Sequence, residues 1–133
     1  MTPDQIRTVI EEFSGARNAQ DRDRIASLVT DDVEHVLPRS IGRPPVRGEA
    51  VIDGLAGGLA AQFFDMSTVK REVKRITVEA NVAAVEQTMT GTTLKGKEYV
   101  NDYVWIYEIR DGKIARIIEH LDTLNGARTL ETL

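Results

Sequence analysis

No cysteine occurs anywhere in this chain, which removes disulfides, thiol catalysis and cysteine-held metal together. Histidine is almost as scarce, with two residues, and nothing is spaced as in His-Glu-x-x-His. No apolar run approaches the roughly 20 residues that span a membrane, and from the acidic, polar N-terminus no secretory signal is expected. The default expectation is a cytoplasmic protein with no membrane partner. A net charge of −4 and a pI near 5.2 argue against a nucleic-acid surface, which must be basic to neutralise phosphates. Lys95-Gly96-Lys97 lacks the rest of a P-loop, and Gly54-x-x-Gly57-Gly58 falls inside a helical pattern rather than after a strand, so neither marks a nucleotide. No Ser-His-Asp arrangement is visible. The expectation is a protein without metal or organic cofactor, forming a single domain over residues 1–133.

Aromatic residues are also few: three Phe, three Tyr and one Trp. All three Tyr and the Trp lie within residues 99–107, in the stretch YVNDYVWIYEIRDGKIARIIEHLD. Alternation there places Tyr99, Asn101, Tyr103, Trp105, Tyr107 and Ile109 on one strand face, the expected floor of a binding site. Asp111-Gly112 suits the positive φ of a tight hairpin, and a second strand follows over 114–122. Two more strands are predicted over 68–79 and 82–93, with turns at Ala80-Asn81 and Lys95-Gly96, giving an antiparallel meander. The basic cluster Lys70-Arg71-Glu72-Val73-Lys74-Arg75 alternates in the first of these and reads as a solvated strand face.

The N-terminal half reads as helices. Thr2, Pro3 and Gln5 form a capping box, and Ile6, Val9, Ile10 and Phe13 make the buried stripe of a first helix. Asp21 opens a second with Ile25, Leu28 and Val29 on its apolar face, stopped at Asp31-Asp32. A short strand over Val33–Leu37 and a Pro/Gly-rich loop over 38–48 come next. A third helix is predicted from Glu49 to about Phe64, although Gly57-Gly58 costs about 1 kcal/mol per glycine against alanine. The tail from Leu124 stays unassigned. Helices followed by a meander indicate an α+β domain with helices on one face of a curved, mostly antiparallel sheet and an internal pocket.

This order, closing on EIRDGKI and Glu119-His120-Leu121-Asp122, with ARNAQDRDRIASLVTDDV before the first strand, resembles the NTF2-like superfamily. It is most similar to the SnoaL-like, ketosteroid-isomerase-like and limonene-epoxide-hydrolase-like small enzymes. The resemblance implies an NTF2-like cone and a homodimer paired through the outer sheet face, where Val100, Val104 and Ile106 would otherwise meet water. It implies isomerase, cyclase, dehydratase or hydrolase chemistry, but a fold does not dictate a reaction. The polar positions of the ketosteroid isomerases are matched here by Phe13, Leu37 and Trp105, so that mechanism is not carried. At the catalytic positions of the limonene epoxide hydrolases stand Glu86, Thr88, Glu119, His35 and Leu37. Of these, Glu119 alone keeps the acidic character of its position.

The same matching points His35, Glu86, Asn101, Tyr103, Trp105 and Glu119 into the cavity. Parity separately puts Glu86 with Thr88, and Asn101 with Tyr103 and Trp105. Glu119, Glu86 and His35 are the expected acid and base groups, since carboxylates and an imidazole in one apolar cavity perturb each other's titration. Asn101 and Tyr103 are expected to orient the substrate, with Trp105, Thr88, Leu37 and Phe13 lining the pocket. His120 and Asp122 lie on the opposite strand face and replace Glu119 if the register slips by one. The substrate expected is a small, largely apolar molecule; the other reading is a binding or assembly module that holds a ligand without turning it over.

Overall fold

The computed structural model describes residues 1–132. Helix α1, Pro3–Asn18, begins as the sequence requires: Gln5 N–H donates to Thr2 Oγ1 at 3.1 Å and Thr2 N–H donates to Gln5 Oε1 at 2.8 Å. Its buried stripe is Ile6, Ile10, Phe13, Ala16 and Arg17, so the apolar spacing ends on a charged residue. Helix α2, Arg22–Leu28, is capped by Asp21, whose carboxylate accepts from Arg24 N–H at 3.1 Å.

Strand β1, Val29–Val36, follows α2 directly. It is longer than the predicted Val33–Leu37 because Asp31 and Asp32, read as a helix stop, lie exposed within it. Val29, Val33 and His35 turn inward, and Leu37 lies just beyond the strand end, half-buried. The Pro/Gly-rich loop contains one 3₁₀ turn and the two-residue strand β2, Val46–Arg47, paired antiparallel to β1.

The predicted long third helix is broken. Helix α3 covers only Glu49–Asp53; a π turn, Gly54–Gly58, and a 3₁₀ turn, Ala60–Gln62, follow, and Phe64 already starts a strand. Gly57 sits at φ 114°, and a Cβ there would stand 3.0 Å from Gln20 Oε1. A Cβ on Gly58 would meet the Asp53 carbonyl at 2.8 Å. The glycine pair therefore ends the helix instead of being tolerated inside it.

Strands β3 (Phe64–Glu79), β4 (Val82–Thr93), β5 (Glu98–Arg110) and β6 (Lys113–Leu121) form the expected meander. The Asp111-Gly112 turn has both residues at positive φ, 53° and 77°. Helix α4, Thr123–Leu130, which the sequence left unassigned, is capped by Asp122 through a 2.9 Å bond from Asn125 N–H. The sheet has six strands in the order β2-β1-β6-β5-β4-β3. Only β1 and β6 run parallel; every other neighbour is antiparallel. Register shifts interrupt β3 against β4 and β5 against β6, the kind of irregularity that bends a sheet. Helix α1 covers the inner face, where Phe13 meets Tyr107 edge-on at 5.6 Å. This is an α+β architecture with helices on one face of a curved, mostly antiparallel sheet. Among the described residues no helix is long and apolar enough to cross a membrane.

Candidate functional site

Cross-strand register decides which side chains meet. Trp105 of β5 pairs with Val85 of β4 and with Glu119 of β6. Since paired residues share a face, Glu119 turns inward with Trp105. His35 of β1 pairs with Ile117, two residues before Glu119, and so faces the same interior. Its Nε2 lies 2.8 Å from Glu119 Oε1, with the two side chains 5% and 12% exposed. Two of the three residues expected to share acid and base roles are thus brought together.

Glu86 is not with them, and the expectation that it points inward is corrected. The inner residues of β4 are Ala83, Val85, Gln87 and Met89. Glu86 pairs with Val104 and Thr88 with Asp102, on the outer face. There the Glu86 carboxylate, 42% exposed, accepts from Arg75, and Thr88 Oγ1 donates to Asp102 at 2.8 Å. Parity joined Glu86 to Thr88 correctly; the resemblance assigned them the wrong side. His120 also lies on the outer face, opposite Val104, and Asp122 caps α4, so the register does not slip.

Of the expected lining residues, Phe13 is core and fully buried. The aromatic face is a ladder: Trp105 is flanked by Tyr103 at 6.0 Å and Tyr107 at 6.4 Å, with ring planes within 11° and 10° of its own. His35 tilts toward Trp105 at 5.7 Å. The hydroxyls of Tyr103 and Tyr99 share a 2.6 Å hydrogen bond. Asn101 spends its amide inside the protein: Nδ2 donates to Tyr99 Oη at 2.9 Å and to the Asp122 carbonyl at 3.0 Å, and Oδ1 accepts from Asp102 N–H. Asn101 therefore braces the tyrosine pair. Burial pushes the Tyr107 phenol up to about 12 and raises Tyr103 above the ordinary tyrosine range, so both remain protonated at neutral pH.

Two groups escaped the sequence reading. Arg17, on the last turn of α1, is only 5% exposed, and its guanidinium carbon lies 4.5 Å over the Trp105 ring. The C-terminal end of the helix dipole favours a cation there. Arg71 of β3 turns inward out of the basic cluster expected to be solvated. Burial chiefly, and then the Arg17 charge, lower its proton affinity to about 9; Tyr103, Tyr107 and Glu119 act in the opposite direction. It remains a cation at neutral pH. Asn18 holds the backbone of this edge strand, donating to the Arg71 carbonyl at 3.1 Å and accepting its N–H at 3.2 Å.

The centre is thus more polar and more closely filled than the largely apolar pouch expected. A cleft of about 540 Å³ crosses the edge strand β3, lined by Asn18, Val69 and Arg71 and, from the outer face, by Lys70, Glu72, Thr88 and Thr90. Chemically the arrangement joins a hydrogen-bonded imidazole–carboxylate pair, a buried row of stacked aromatic rings and two cations. Among the described residues no three His, Asp or Glu side chains cluster as metal ligands do.

Similar folds are well represented among solved structures. An NTF2-like protein of unknown function from Burkholderia pseudomallei K96243 superposes with a TM-score of 0.84 at 13% identity, covering 98% of each chain. TerC, co-crystallised with polyporic acid, gives 0.83 at 21% identity over 96% of this chain and 98% of its own. A putative SnoaL-like polyketide cyclase from Jannaschia sp. CCS1 gives 0.82 at 16% identity over 100% and 97%. At these identities the likeness concerns the fold alone. A search of curated proteins finds no match. The family model of the SnoaL-like domain matches residues 10–117, most of the chain from the middle of α1 to β6, and the chain belongs to that family.

Proposed function

We propose that this chain is a small enzyme that performs acid/base chemistry on a modest-sized molecule bearing a carbonyl, hydroxyl or epoxide, without metal or organic cofactor. The reaction is isomerisation, cyclisation, dehydration or water addition. The observation that carries this reading is the His35–Glu119 pair, 2.8 Å apart and nearly buried beside Trp105. Within the pair the imidazole exchanges a proton with the substrate, and the carboxylate orients the ring and balances its positive charge when protonated. In this reading the Tyr103 hydroxyl holds a substrate oxygen, which its hydrogen bond to Tyr99, itself bonded by Asn101, supports.

The test is deuterium incorporation from D₂O into a panel of enolisable ketones, read by mass spectrometry. The wild-type chain is expected to exchange at least one of them, and Glu119→Gln and His35→Gln to lose about 10²-fold or more of that rate. Exchange that is absent, or unchanged in both variants, would overturn the enzymatic reading. The close filling of the interior by Tyr103, Trp105, Tyr107 and Arg17 favours a second reading, a binding module, which predicts ligand binding with no exchange. As partner for the outer face we propose a second copy of the chain, because Val100 is 61% exposed there and Val104 partly so; sedimentation as a monomer would remove this.

A further inference from the structure

We propose that Arg17 and Arg71 form a buried site for a delocalised anionic oxygen group, a carboxylate or an enolate, carried by a flat unsaturated substrate. This deepens the reading above and rests on it for where the substrate lies. The argument is a count of donors and acceptors. Arg17 Nε and Trp105 Nε1 are both buried with no hydrogen-bond partner, and leaving a buried donor unpaired costs about 1–3 kcal/mol. Six surface arginines, at positions 7, 22, 47, 75, 110 and 116, each meet a carboxylate, and the four that meet none among the described residues, at 24, 39, 43 and 128, are exposed to water. Among the described residues Arg17 and Arg71 meet none within 4.0 Å, and the carboxylate in their neighbourhood, Glu119, is held by His35.

Two cations against one carboxylate leave an excess of positive charge where water is largely excluded. The planar guanidinium fork suits a carboxylate or enolate better than a point charge does. Arg71 also borders the cleft at the edge strand β3. The near-parallel rings of Tyr103, Trp105 and Tyr107 favour a flat body beside the charge. The placement also suits the chemistry. When the His35–Glu119 pair removes a proton from carbon next to a carbonyl, the C–H electrons move onto the carbonyl oxygen. A guanidinium at that oxygen stabilises the enolate until reprotonation at carbon restores the carbonyl.

The experiment is calorimetric titration near neutral pH with 2-naphthoate, its neutral isostere 2-naphthamide and inorganic phosphate, on the wild-type chain and on Arg17→Met and Arg71→Met. The acid is expected to bind about ten-fold or more tightly than the amide. Each variant should lose that preference, keep its affinity for the amide, and melt no lower than wild type, because an unpaired buried charge has been removed. Equal binding of acid and amide, or no binding of either, overturns the proposal. Phosphate that competes as strongly as 2-naphthoate means an adventitious ion only, and a lowered Tm with the acid preference intact means a structural role; each also overturns it. Because binding is read here and exchange above, lost exchange with the acid preference intact would remove the catalytic reading alone.

Discussion

On the outer face of the sheet Glu86 reaches Arg75, Thr88 donates to Asp102, and Arg116 is held between Glu34 and Glu108, all with water at hand. On the inner face His35 and Glu119 meet nearly dry, and Arg17 lies over an indole. The residue types are the same; the surroundings are not. An exposed pair contributes about 0–1 kcal/mol because water and salt screen it. A buried one has large opposing desolvation and Coulomb energies, so removing one partner costs about 3–5 kcal/mol. Strand alternation alone separates the two sets, by one position along β4 and β6. Charge density in a sequence therefore says little about chemistry until the face is known.

The contrast is easiest to break with two carboxylates. Glu119→Gln is expected to lower deuterium exchange by about 10²- to 10⁴-fold, whereas Glu86→Gln should leave it within about two-fold, since its effects stay on a solvated face. Equal losses would mean that the faces are not chemically distinct. The next largest effect is on stability and compares sequence neighbours. Trp105→Ala, at 3% exposure, should cost about 3–5 kcal/mol in denaturant unfolding. Val104→Ala, on the other side of the same strand, should cost below about 1 kcal/mol.

Much of this division was legible in the chain. The run from Tyr99 to Ile109 alternates so strictly that its inner face follows from parity, and all six of its odd-numbered residues are buried. The capping box of α1 and the Asp111-Gly112 turn were equally plain, because local chemistry determines both. The face of β4 was not, since Ala83-Val85-Gln87-Met89 and Ala84-Glu86-Thr88-Thr90 each mix apolar and polar groups. Register against Trp105 decides it, and that is a long-range fact. The more apolar of the two sets was nevertheless the buried one. Arg17 had a local signal that went unused: it continues the 6, 10, 13 stripe by one turn, a charge on a buried face. Arg71 offered less, being one of four basic residues within six positions; only the packing of α1 against β3 separates it from the rest. The break at Gly57 was signalled as a cost, but its form depends on contact with Gln20 and Met66.

Titration extends the comparison between faces to pH. On the inner face, burial holds the Tyr107 phenol at about 12 against an ordinary value of 10.0. Between those values the unfolded chain gives up its proton first, so the native state binds more protons and stability falls as pH rises. The contribution is complete below pH 10 and is lost by about 12; on the order of 2 kcal/mol is at stake. Arg71, lowered to about 9, acts with the opposite sign over an overlapping range, so Tyr107→Phe should make the alkaline stability curve rise relative to wild type. Far from the cone, Glu131 is held at about 2 by Lys95 and Lys97, at 2.8 and 2.9 Å. Its contribution is present above the ordinary carboxylate value of 4.5 and disappears as pH falls toward 2. Because its carboxylate meets solvent, it is the smallest effect of the four. Glu131→Gln should lower Tm slightly at neutral pH, by an amount that added salt erases, and not at all near pH 2. If its cost instead persisted in high salt, the solvated periphery would share the dry character of the centre, and the division between them would fail where it was expected to be clearest.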